Sequence, residues 1–250
     1  MIFRQLFEPV SSTYTYLFGC PDTRRAILLD PVLETVERDL GILQELDLTL
    51  ACTLETHVHA DHLTSAKRLS SLTGSQIAYP AMDNLACADI DISEDKPLAV
   101  GTLILKPIFT PGHTNHHHCY LVSIGAADAI FTGDTLLIDG CGRTDFQNGD
   151  ATSLYQSVTE KIFPLPGETL VYPAHDYQGR RVSSVEQERT RNLRLGGGKS
   201  LEAFVEIMNN LKLAYPKRID LAVPANQLCG ECPEDVKDTY KMLCEPSVQG

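Results

Sequence analysis

Thr56-His57-Val58-His59-Ala60-Asp61-His62 stands directly behind an apolar, β-favouring stretch, Leu48 to Leu54. Three imidazoles and a carboxylate within six residues are costly to bury separately, because each needs its own hydrogen-bond partner once water is removed. A metal ion gives them a common target. A solvated polar loop would explain one such histidine but is a poor account of three. The chain's 8 histidines fall in three places, 57 to 62, 113 to 118, and 175.

Outward from this run, strand and helix patterns alternate. Upstream, Thr13 to Phe18 and Ala26 to Leu29 read as strands of a hairpin or meander from Phe3 to Pro31, with a turn at Gly19 to Thr23. Leu33, Val36, Leu40, Leu43 and Leu46 recur at three and four, the spacing of an amphipathic helix. Downstream, Leu63, Ala66, Leu69 and Leu72 predict a helix stopped near Gly74, and Gln76 to Tyr79 a strand. The acidic connection from Asp83 to Lys96 is uninformative. Leu103 to Phe109 is a strand running into His113, Tyr120 to Ile124 another, Ala129 to Phe131 one running into Asp134, and Thr169 to Tyr172 one running into His175. Four strands thus end on a His or Asp, which gathers ligand-type residues at one edge of stacked sheets. Further helices are expected over Leu154, Val158 and Ile162, after a capping box of Ser183 with Glu186, from Ser200, and from Pro233 through Val236, Tyr240 and Leu243. Gly196-Gly197-Gly198 lacks the spacing of a phosphate loop and reads as a turn. The class is α/β, layered, and no boundary divides residues 1–250, so a single domain is expected.

Composition narrows the function. Hydrophobic content of 43% with 22% charged residues suits a soluble globular chain, and no apolar run approaches the ~20 residues of a membrane span. A net charge of -12 argues against nucleic acid and anionic membranes as partners. An anionic substrate must therefore be held by specific arginines. Met1 to Gln5 has neither signal nor transit-peptide character, so a cytoplasmic location is expected. The 8 cysteines are scattered and are expected to be mostly reduced.

His57, His59, Asp61, His62, His113, Asp134 and His175 are enough for two metals. Two His and a carboxylate on one face suit a mononuclear Fe(II) oxygenase; a dinuclear site bridged by Asp134 would suit hydroxide attack on an ester or thioester. Donor chemistry alone leaves both open. The T-H-x-H-x-D-H run and the later Gly-His, Gly-Asp and Ala-His positions resemble the metallo-β-lactamase superfamily, which implies a four-layer αβ/βα sandwich. Within it, the chain resembles the glutathione persulfide dioxygenases along nearly its whole length. That resemblance is carried by Leu28 to Val32, Thr56 to Leu63, Gly133 to Leu137, Gly140 to Gln147, Tyr172 to Tyr177 and Pro224-Ala225-Asn226.

The resemblance implies one Fe(II) per chain held by His57, His113 and Asp134. It implies glutathione persulfide and O2 as substrates, sulfite and glutathione as products, and Arg143, Tyr177 and Arg194 as the residues that hold glutathione. His59, Asp61, His62, His175 and Cys229 then support the site, and a homodimer stays open. The chain departs from the family pattern at Ser65, where a Gly is usual, and at His116-His117-His118, where a small Gly-containing turn is common. Those three histidines read as a polar strand entry. Cys229-Gly230-Glu231-Cys232 reads as two ordinary thiols ahead of a redox pair. The competing readings are a glyoxalase-II-like dinuclear thioesterase and a non-enzymatic thiol or persulfide sensor.

Overall fold

The computed structural model describes residues 1–125, 127–236 and 241–244. Twelve strands form two six-stranded sheets among them. The first holds β1 (Ile2–Glu8), β2 (Thr13–Gly19), β3 (Arg25–Leu29), β4 (Thr49–Leu54), β5 (Gln76–Pro80) and β6 (Ile90–Ile92), side by side in chain order. The second runs β12 (Ser183–Ser184), β11 (Leu170–Pro173), β10 (Ala127–Gly133), β9 (His118–Ile124), β8 (Leu103–Phe109), β7 (Leu98–Val100). Strands β3 to β6 are mutually parallel, as are β10 and β11, and the remaining pairs are antiparallel.

Alternation along each strand builds the layers. Tyr16, Phe18, Ile27 and Leu29 face the second sheet's Tyr120, Val122, Ala129 and Phe131. Neighbouring residues point the other way: Leu17, Ala26 and Leu28 pack with Val36 and Leu43 of helix α1 (Val36–Glu45) and with Leu69 of α2 (Ala66–Thr73). On the far side Ile130 and Val171 pack with Leu154 of α3 (Ala151–Gln156), with Val158 and Ile162 of the π-helical turn that continues it, and with Phe204 of α5 (Leu201–Asn209). This is the expected four-layer sandwich. Each fully buried Leu, Ile or Phe contributes roughly 1.5–3 kcal/mol, so the strands are fixed by three apolar interfaces.

Several expectations need correction. The Asp83 to Lys96 connection holds β6, and β7 follows it; both are three-residue strands too short for a periodic signal. Ser184, not Ser183, caps α4 (Val185–Arg191) by accepting from Gln187 N, while Ser183 Oγ donates to buried Glu188. An unexpected helix, α6 (Ile219–Asn226), carries Pro224 inside it, and burial of Leu221, Ala222 and Ala225 overrides the usual proline penalty. Of the helix expected from Pro233, residues 233–236 are not helical, 237–240 lie outside the described residues, and α7 (Lys241–Cys244), which includes Leu243, is helical. Half of the cysteines are bonded, as Cys87–Cys229 and Cys232–Cys244, while Cys20, Cys52, Cys119 and Cys141 are free and buried. Cys229 and Cys232 are therefore not partners of one another.

Candidate metal centre

Parallel strands deliver their C-terminal ends to the same edge, so β4 presents His57, β10 presents Asp134 and β11 presents His175 together, with His113 arriving from β8. Backbone hydrogen bonds stitch the two sheets along this edge, His118 N to Thr56 O at 2.9 Å and Tyr14 N to Ala174 O at 2.7 Å, while Ala174 N to Gly133 O at 2.9 Å extends the β10–β11 pairing to the same edge.

One nitrogen or oxygen each from His57, His113 and Asp134 lie within 4.8 Å of one another, and so do donors of His59, Asp61 and His62. Hydrogen-bond partners fix which atoms are available. His113 Nδ1 meets Arg143 O at 2.8 Å, a carbonyl that can only accept, so Nδ1 carries the proton and Nε2 keeps its lone pair. Thr56 Oγ1 donates to Asp30 at 3.0 Å and accepts from His57 Nδ1 at 2.9 Å, which leaves His57 Nε2 free. Asp134 offers Oδ2, 3.4 Å from His113 Nε2, while its Oδ1 accepts from His175 Nδ1 at 2.6 Å. Two neutral imidazoles and a carboxylate aimed at one point suit a divalent metal of the iron and zinc class.

The supporting residues form a chain behind this set. His175 Nε2 donates to Asp61 Oδ2 at 2.9 Å, and Asp61 also accepts from His62 Nδ1 at 3.0 Å. With carboxylates at both nitrogens, His175 is held protonated: burial opposes the charge, and Asp134 and Asp61 outweigh it. Burial would likewise raise Asp134 and Asp61, but the imidazole of His175 holds both well below the usual carboxylate range. His57 is pushed the other way, first by burial and then by the rings of His59, His113 and His117. His59 Nε2 faces Asp30 and Glu55 at 3.1 and 3.4 Å; burial disfavours its charge, yet the two carboxylates raise it to about 10. Glu55, raised by burial and lowered by His59, sits at about 7.

Of the residues expected to hold a glutathione moiety, Tyr177 is exposed and lies parallel to His175, with ring centroids 6.3 Å apart. Arg143 is a bidentate partner of Asp145, at 2.6 and 2.8 Å, and its charge lies over the Phe146 ring. Arg194 Nη1 donates to Cys141 O at 2.6 Å and so braces the loop that carries Arg143. Cys229 does not present a thiol: it is bonded to Cys87 among Val58, Ala66, Ile77 and Tyr79. Ser65, in the usual glycine position, has φ -89, a conformation any residue adopts.

Sequence reasoning missed four supports. Asp30 holds Thr56 N at 2.8 Å as well as His59, and Thr13 Oγ1 lies 3.0 Å from His175 Nε2. Asn226, buried, accepts from Thr64 N and donates to His59 O and His62 O. His117, also buried, accepts from Asp134 N. Asp30 and Asn226 stand in segments that carry the family resemblance, which was their only signal; Thr13 had none.

The metallo-β-lactamase superfamily model matches residues 9–175. The mitochondrial persulfide dioxygenase ETHE1 of Mus musculus is 49% identical over 231 residues, which are 92% of this chain and 89% of that protein. Its Homo sapiens counterpart is 50% identical over the same shares. The crystal structure of ETHE1 from Myxococcus xanthus is similar with a TM-score of 0.88 at 51% identity, covering 92% of this chain and 100% of that one. The superfamily model's span takes in His57, His113, Asp134 and His175, and with these likenesses the chain belongs to the persulfide dioxygenase family of the metallo-β-lactamase superfamily.

Proposed function

We propose that the chain oxidises glutathione persulfide with O2 and water to sulfite and glutathione, using one Fe(II) held by His57, His113 and Asp134. The observation that carries the single-metal reading is the engagement of His175. Both of its nitrogens are committed to carboxylates, at 2.6 and 2.9 Å, so it holds Asp134 and Asp61 in place instead of offering a lone pair to a second metal. When bound, iron supplies open positions for a soft persulfide sulfur beside O2. The chain's own residues orient that site. Arg143 O and Thr56 Oγ1 fix the tautomers of His113 and His57, and His175 fixes the rotation of the Asp134 carboxylate.

Arg143 and Tyr177 are the groups assigned to the glutathione moiety, with Arg194 bracing the Arg143 loop through Cys141 O. Guanidinium is the natural partner for glutathione's carboxylates on a chain of net charge -12. Among the described residues no helix is long and apolar enough to cross a membrane. The deciding experiment is metal analysis of freshly purified protein together with O2 uptake on adding glutathione persulfide. The expected result is about one Fe per chain and persulfide-dependent O2 consumption, both lost in Ala variants of the three ligands. Two equivalents of zinc and anaerobic hydrolysis of a glutathione thioester would overturn the proposal.

A further inference from the structure

Of the three consecutive histidines at the start of β9, only the middle one turns toward the metal edge. His116 Nδ1 pairs with Asp83 at 2.9 Å, and His118 Nδ1 donates to His116 O at 3.0 Å with its ring against Phe109. His117 is fully buried and lies beneath two of the three ligands. Its Nε2 is 3.1 Å from Asp134 N, and its ring stacks on His57 with centroids 4.9 Å apart and planes 27° apart.

A backbone N–H can only donate, so Nε2 is the accepting nitrogen and Nδ1 bears the proton. That proton has two acceptors within reach, Thr135 Oγ1 at 3.0 Å and Thr110 Oγ1 at 3.1 Å. Thr135 Oγ1 in turn donates to Thr110 O at 3.1 Å. The direction of every bond is therefore consistent from Asp134 N through the ring to the end of β8. Space for the ring is made at Gly133: a Cβ there would lie 2.3 Å from His117 Nε2, and its φ of +51 is one that side chains rarely adopt.

We propose that His117 is a positioning residue, which holds the Asp134 backbone and the His57 ring so that their donor atoms converge on the metal. This rests on the reading that His57, His113 and Asp134 bind it. His117 has no exposure to solvent, and it meets the ligands through the Asp134 backbone N–H and the face of the His57 ring, so it acts through the ligands it supports.

The test is titration of the metal-stripped full chain with Co(II), followed by its visible absorption bands, on His117→Leu, His117→Gln and His117→Asn. Gln is long enough to place an acceptor oxygen where Nε2 stands; Asn is one methylene shorter. His117→Leu and His117→Asn are expected to weaken Co(II) binding by about 10 to 100-fold, the size typical of lost outer-shell support, and to shift the bands. His117→Gln should recover most of both. In the iron-loaded variants kcat falls and KM for glutathione persulfide holds. Wild-type affinity and bands in His117→Leu overturn the inference. If His117→Leu does not fold, the comparison passes to Gln against Asn, and equal affinities overturn it. Asp134→Ala separates the two readings: unchanged Co(II) binding there refutes the ligand triad and this inference with it. Lost binding in Asp134→Ala beside normal binding in His117→Leu refutes His117 alone.

Discussion

Asn226→Ala probes how the far end of the chain holds the metal loop. Asn226 sits at the end of α6, is fully buried, and spends its whole amide on the loop: Thr64 N at 2.9 Å, His59 O at 2.9 Å and His62 O at 2.8 Å. Alanine leaves one N–H and two C=O groups without these partners in a site closed to water. At about 1–1.5 kcal/mol per hydrogen bond the loss is roughly 3–5 kcal/mol, a large share of the ~5–15 kcal/mol that holds a typical fold. Urea unfolding of the metal-free protein should show that loss as a lower midpoint at unchanged m-value, and displacement of the His59–His62 turn should weaken metal binding at the neighbouring ligand set. Asn226→Asp keeps the acceptor for Thr64 N but sets an anionic oxygen against two carbonyls, so it should be no milder. A loss under about 1 kcal/mol for Asn226→Ala would refute the reasoning, because it would mean that water or a shifted α6 satisfies all three groups.

Arg143→Ala should raise the KM for glutathione persulfide by about an order of magnitude, the worth of one charge-assisted clamp, with metal content retained because His113 is held by the Arg143 backbone, not its side chain. Asp145 already occupies that guanidinium, so Asp145→Asn should lower KM; steady-state kinetics showing neither change would remove Arg143 from substrate binding. Gly142→Ala places a Cβ 2.4 Å from Asp134 O and 2.6 Å from His113 Nδ1, and should cost metal binding even where the chain still folds, as metal analysis of the soluble fraction would show. Burial raises the Asp39 carboxyl to about 6 against the pull of Arg38, so the folded chain binds this proton more tightly than the unfolded chain, whose Asp titrates near about 3.9. Stability carried by that difference falls as pH rises from about 4 to about 6. Asp39→Asn should therefore gain on the wild type across this window and no further above about pH 7; a difference that does not vary with pH would contradict it.

The sequence by itself determined the long strands and the four strand ends that carry His57, His113, Asp134 and His175. Those depend on local pattern: Ile27 and Leu29 alternate with Ala26 and Leu28 because both faces of β3 are buried, and the period is visible without knowing what covers them. The triad of His57, His113 and Asp134 came from family resemblance, and the structure brings the three together at one edge. What only tertiary structure decided was the use made of each polar group. Nothing local tells His117, turned under Asp134, from His116, paired with Asp83, because adjacent residues differ only in the face to which the strand turns them. Cys229 and Cys232 read in sequence as two ordinary thiols yet are bonded to Cys87 and Cys244, since bond partners are set by distance across the fold. Asn226 lies 162 residues from Thr64, and its role exists only once α6 has packed against the first sheet. Burial creates such roles: removing water obliges each polar group to find a partner, and the partner is whichever group the packing has brought within about 3 Å.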